Sequence, residues 1–105
     1  MNLPEEYLAY LREGIDLHGD LKADDFNRYF DLCPEEELNE WNKDYEVDKN
    51  APGYTVFGTN GGGELYAFDA SGAIFELPAI GMASDVAIKI SESWQDFRSR
   101  IIPNT

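Results

Sequence analysis

Tyr54-Thr55-Val56-Phe57-Gly58-Thr59-Asn60-Gly61-Gly62-Gly63-Glu64-Leu65-Tyr66-Ala67-Phe68 is the stretch on which the fold turns. Its first five residues are rich in the β-branched and aromatic side chains that fit a pleated surface, and Leu65-Tyr66-Ala67-Phe68 repeats that character. Between them Asn60-Gly61-Gly62-Gly63 supplies residues that tolerate positive φ, so the two runs read as an antiparallel hairpin closed by a glycine turn. The turn lacks the Lys and the following Ser or Thr of a phosphate-binding loop, and Glu64 would repel a phosphate, so it is not a nucleotide site.

Working outward, Asp69-Ala70-Ser71-Gly72 turns the chain and Ala73-Ile74-Phe75-Glu76-Leu77 forms a third strand, which Pro78 ends. Val86, Ile88 and Ile90 alternate with Ala87 and Lys89, which predicts a short fourth strand. Short connections between these runs make the sheet an antiparallel meander. Upstream, Pro34 opens a helix whose first turn holds Glu35, Glu36 and Glu37 and whose apolar positions are Leu38, Trp41 and Tyr45; a polar loop from Val47 to Pro52 follows. At the start of the chain Pro4 suits the first helical position, Glu5 and Glu6 complement the helix dipole, Leu3, Tyr7, Leu8 and Leu11 share a face, and Gly14 stops the helix. Ile15 to Lys22 fits no single period, and Phe26, Tyr29, Phe30 and Leu32 suggest a buried extended segment. At the far end Ser93 caps a helix, Asp96 stands three residues on as half of a capping box, and Trp94, Phe97 and Ile101 form its apolar face up to Pro103. The prediction is an α+β domain spanning residues 1–105, a central antiparallel sheet of about four strands between N-terminal and C-terminal helices.

Charge narrows the function. Eight Lys and Arg face 21 Asp and Glu in 105 residues, a formal net charge of −13. Nucleic-acid backbones and anionic membranes demand clustered cations, so neither is an expected partner; a basic protein is. The acids concentrate in the first fifty residues, as Asp24-Asp25, as Glu35-Glu36-Glu37 with Glu40, and as Asp44, Glu46 and Asp48. With 43% hydrophobic residues the chain can nonetheless build a core. Met1-Asn2-Leu3-Pro4-Glu5-Glu6 is acidic where a signal peptide would be basic, and no apolar run approaches a membrane span, so a cytoplasmic, reducing location is expected. A single cysteine agrees with it.

Catalytic and metal chemistry find little support. Asp44, Glu46, Asp48 and Asn50 begin like a calcium loop, but Lys49 stands where the sharp turn needs Gly and Thr55 where a bidentate Glu should close it. Cys33 precedes Pro34 at a helix start, a place that can lower a thiol pKa, yet it reads more simply as a small buried or boundary residue; His18, beside Gly19 and Asp20, reads as surface. In a chain with this many carboxylates a pair can always be drawn, so their number does not point to acid–base catalysis. No enzyme activity, cofactor or metal is expected. Trp41 and Trp94 both fit core positions, and Trp41, set between acidic segments, is the one placed as a contact candidate.

The order of motifs resembles the SUKH superfamily, which joins a fungal cell-wall synthesis regulator to many bacterial proteins. The resemblance is carried by Leu3-Pro4-Glu5-Glu6-Tyr7-Leu8-Ala9-Tyr10-Leu11, by Tyr54–Gly58 with Gly63–Asp69, and by Ser93-Trp94-Gln95-Asp96-Phe97. It implies an α+β fold with an antiparallel sheet and, as in bacterial members, an immunity protein that binds and neutralises a cognate toxin, often a nuclease or deaminase. The alternative it leaves open is a regulatory interaction module with no toxin partner. Pro4, Tyr7, Gly58, Gly63, Asp69 and Phe97 are expected to be structural, and partner binding is expected at Glu36, Glu40, Trp41, Asp44, Glu46 and Asp48. An acidic surface there would occupy the basic cleft of a nuclease.

Overall fold

The computed structural model describes residues 3–14, 16–23 and 25–103; Met1, Asn2, Ile15 and Asp24, which entered the sequence reading, lie outside them. The elements run α1 (Glu5–Glu13), β1 (His18–Leu21), β2 (Arg28–Leu32), a 3-10 turn (Glu35–Glu37), α2 (Leu38–Asp44), α3 (Val47–Asn50), β3 (Thr55–Thr59), β4 (Glu64–Phe68), β5 (Ile74–Pro78), a 3-10 turn (Ser84–Val86), β6 (Ile88–Ser91) and α4 (Trp94–Ser99). The six strands form one antiparallel sheet in the order β1-β2-β3-β4-β5-β6. The α+β class and the meander stand as expected from sequence.

Successive side chains of a strand point to opposite faces, and here they feed two cores. Phe57, Tyr66, Phe68 and Ile74 join Tyr7, Tyr10 and Leu11 of α1 and Trp94 and Phe97 of α4. Their neighbours Val56, Leu65, Ala67 and Leu77 face the other way, against Val47 and Ala51. Trp41 is half-buried and packs against both clusters.

Five expectations are corrected. The sheet has six strands rather than four, because β1 and β2 occupy the stretch that showed no clear period: His18 and Asp20 face solvent and only Leu21 of β1 is buried, so the strand carries no alternating apolar signal. In the segment read as buried, Phe30 and Leu32 are core residues but Phe26 and Tyr29 are exposed. The loop expected from Val47 to Pro52 begins with α3, since Glu46 adopts a left-handed conformation (φ 52°) that reverses the chain and lets Val47 drop into the second core. Val86 belongs to a 3-10 turn, not to the fourth strand of the prediction, and the last helix ends before Ile101. There the backbone straightens and pairs with β1: Leu21 bridges Ile101, Lys22 N–H donates to Arg100 O (2.8 Å) and Ile102 N–H to Asp20 O (3.0 Å). That pairing covers a sheet edge that would otherwise invite other chains.

The motif residues have structural work. Pro4 precedes α1 as its N-cap residue, Gly14 closes it in the left-handed region, and the Ser93 hydroxyl accepts a hydrogen bond from Asp96 N–H (3.1 Å). Partial burial of the Asp69 carboxyl would raise its pKa, but hydrogen bonds from Ser71 and Ala73 outweigh it and hold the group below the usual carboxylate range, fixing the β4–β5 turn. Gly58 pairs with Leu32 across β2 and β3. A Cβ there would sit 2.8 Å from the backbone oxygen of Asp31, which cannot swing aside. Gly58→Ala is therefore expected to cost about 1 to 3 kcal/mol, read as a lowered urea midpoint at unchanged slope; an unchanged midpoint would show that β2 and β3 separate freely.

Candidate functional site

The candidate residues lie along the 3-10 turn, α2 and α3. Glu36, Glu40, Asp44, Glu46 and Asp48 are all exposed, and among the described residues none of them takes part in an ion pair. The acid just before them behaves differently: Arg12 clasps Glu35 through two hydrogen bonds of 2.9 and 2.7 Å, which hold its carboxyl below the usual range and tie α1 to the 3-10 turn. One residue of this acidic run is thus spent on the fold, and among the described residues the five candidate carboxylates, with Glu37, remain uncompensated.

Glu46 and Asp48 line an open groove of about 480 Å³ with Asn39, Asn42, Lys43, Lys49, Tyr54 and Thr55. Asp44, the last residue of α2, is not among its walls, and neither are Glu36, Glu40 and Trp41. Sequence reading missed the two lysines, which interrupt the acidic wall, and it missed Asn42. That residue holds the helix to the sheet: its amide donates to Leu38 O (2.8 Å) and Val56 O (2.9 Å) and its Oδ1 accepts from Val56 N–H (2.7 Å), standing in for a strand neighbour at the irregularity between Val56 and Gly58. A polar residue on an amphipathic helix gives no sign of this in sequence. Glu46 is the only non-glycine residue with positive φ among the described residues, a conformation that costs of order 1 kcal/mol where glycine would adopt it freely.

Of the two residues that could invite a catalytic reading, Cys33 lies inside the fold. Cys33 is fully buried with its Sγ donating to Pro34 O (3.3 Å), and burial, with the nearby charges of Glu37, Glu36 and Asp31, pushes its thiol up to about 12. The lowering that a helix start can bring does not occur. Iodoacetamide at mildly alkaline pH is accordingly expected to leave the folded protein unmodified and to alkylate Cys33 once the chain is unfolded in urea. Rapid labelling of the folded protein would contradict that burial. His18 is exposed, as expected. Among the described residues no group of three His, Cys, Asp or Glu side chains is placed to hold a metal ion, and no helix is long and apolar enough to cross a membrane.

No curated protein matches the chain. The sequence profile of the SMI1 / KNR4 family (SUKH-1) matches it over residues 1–100. That match takes in α1, all six strands and α4, whose Tyr7, Gly58 and Phe97 hold the fold together. The chain belongs to the SMI1 / KNR4 family (SUKH-1).

Proposed function

We propose that this protein is a non-catalytic immunity protein that neutralises a basic toxin domain by covering it with the acidic face of the 3-10 turn, α2 and α3. The family includes toxin immunity proteins. The observation that carries the reading is the set of five exposed carboxylates without internal ion pairs, in a chain of net charge −13. Such a face costs stability through self-repulsion when the protein is alone, and a cationic partner relieves that cost. A nuclease must present cations to hold its substrate, so one contact both binds the toxin and blocks it. Asn42 keeps α2 fixed against β3, and a pre-ordered surface loses less entropy on binding.

Co-expression tests this. Cells producing the toxin encoded beside this protein's gene should survive when the protein is present and die when it is absent. Survival that does not depend on the protein would favour the family's other role, a regulatory interaction module without a toxin.

A further inference from the structure

A second surface stands apart from α2 and α3, between the β1–β2 loop and the glycine turn of β3–β4. It is a pocket of about 310 Å³ whose walls include Phe26, Arg28, Tyr29, Asn60, Glu64 and Glu76. Two aromatic residues are left in water here: Phe26 is 66% exposed and Tyr29 42%. The glycine turn is packed against one of them, since a Cβ on Gly61 would lie 3.1 Å from the Tyr29 ring. Gly61 thus serves twice, since the turn also places it at a positive φ of 76°.

The polar side of the pocket is acidic and pre-ordered. Asn60 Nδ2 donates to Glu64 Oε1 (2.8 Å) and to Glu76 Oε2 (3.0 Å), holding two carboxylates around one neutral amide. Glu76 is only 8% exposed. Arg28, the one cation lining the pocket, is already shared: it meets Asp25 at 2.9 Å and Glu76 at 3.3 Å, and its guanidinium lies 5.0 Å from the centre of the Phe26 ring. Arg28 thus answers two carboxylates, Asp25 and Glu76, while Glu64 adds a third to the same pocket, so the local charge is negative. Among the described residues neither Glu64 Oε2 nor Glu76 Oε1 accepts a hydrogen bond. Acceptor oxygens with no donor, a negative charge in a partly desolvated pocket, and exposed ring faces are complementary to one kind of group: a flat cation with several N–H donors. A guanidinium meets this description better than an ammonium, because it stacks on rings and donates in a fork.

We propose that this pocket receives an arginine side chain of the basic protein partner, as an anchor separate from the acidic face of α2 and α3. The inference rests on the proposed basic partner for the source of that arginine, and on the pocket's own geometry for its recognition. Aromatic residues and arginine are the groups that dominate binding energy in interfaces, and a single arginine seated in the open space beside Arg28, against Glu64, Glu76 and the exposed rings, would give the broad acidic contact a fixed register.

The test uses the full chain labelled with 15N and titrated with N-acetyl-arginine N-methylamide, with the citrulline analogue, equal in shape and uncharged, as control. Saturable shifts are expected at the Asn60 side-chain amide and at the Gly62 and Glu64 backbone amides, with none from citrulline. Glu64→Gln and Phe26→Ala, both outside the two cores, should each weaken the interaction about five- to tenfold, with unchanged melting curves showing that the fold is kept. The D44K/D48K double variant should leave the titration unaltered, so failure of the acidic-face reading and failure of this one are seen separately. Shifts that do not saturate, that citrulline reproduces, that survive both substitutions, or that centre on Glu46 and Asp48 would overturn the proposal.

Discussion

Replacing Asp44 and Asp48 together by lysine is expected to slow association with the proposed basic toxin domain by about ten- to a hundredfold at low salt, while leaving the fold intact. Both side chains are exposed, and among the described residues neither is in an ion pair, so their removal breaks nothing inside the protein. The double reversal changes the charge by four units on a face that already borders Lys43 and Lys49, converting that part of the surface from net acidic to net basic. Steering acts before contact and is screened by ions, so the effect should appear mainly in the association rate and shrink as salt rises. Stopped-flow mixing at several salt concentrations reads both quantities. Equal rates for the two proteins at every salt concentration would place the toxin contact elsewhere.

The largest effect on stability is expected at Trp94. Its ring stacks on Phe97 (5.3 Å between centroids, 22° between planes) and takes the edges of Tyr7 (4.9 Å) and Tyr10 (5.0 Å), so it joins α4 to α1 over the sheet. Trp94→Ala would empty the centre of the larger core, at about 3 to 5 kcal/mol. Small domains have about 5 to 15 kcal/mol in total, so most of the margin would go. Trp94→Phe is the informative partner. The buried indole N–H has no hydrogen-bond partner among the described residues, so removing it strands nothing and the cost should be on the order of 1 kcal/mol. Urea titrations of the two variants would show the contrast. Similar losses for both would mean that the indole nitrogen holds a bond that matters.

What could be read from sequence follows from where the physical signal is local. The β3–β4 hairpin, the Asp69 turn and the Ser93 cap were legible, because strand composition, glycine and capping chemistry act over a few residues. β1 was not, because a strand with one buried residue is indistinguishable from a polar loop until its partners are known. The same holds for the chain end, where Ile101 was placed on a helix face and instead pairs with Leu21, eighty residues away in sequence. At the candidate site, the exposure of Asp44, Glu46 and Asp48 was foreseeable from charge alone, whereas Lys49 and Asn42 enter the groove only because α3 forms and α2 docks on Val56. The pocket at Phe26 was hidden for a similar reason: its walls come from three parts of the chain, and Glu76 reaches Arg28 across the curled sheet.

Affinity capture from the source cells puts the proposed binding of a basic toxin by the acidic face to the test. Tagged wild-type protein and the D44K/D48K variant are compared at low and high salt, with the retained proteins identified by mass spectrometry. A basic toxin domain should be held by the wild type at low salt, released at high salt, and not held by the variant. A toxin retained equally by both proteins, or a wild type that retains no toxin domain at low salt, would contradict it.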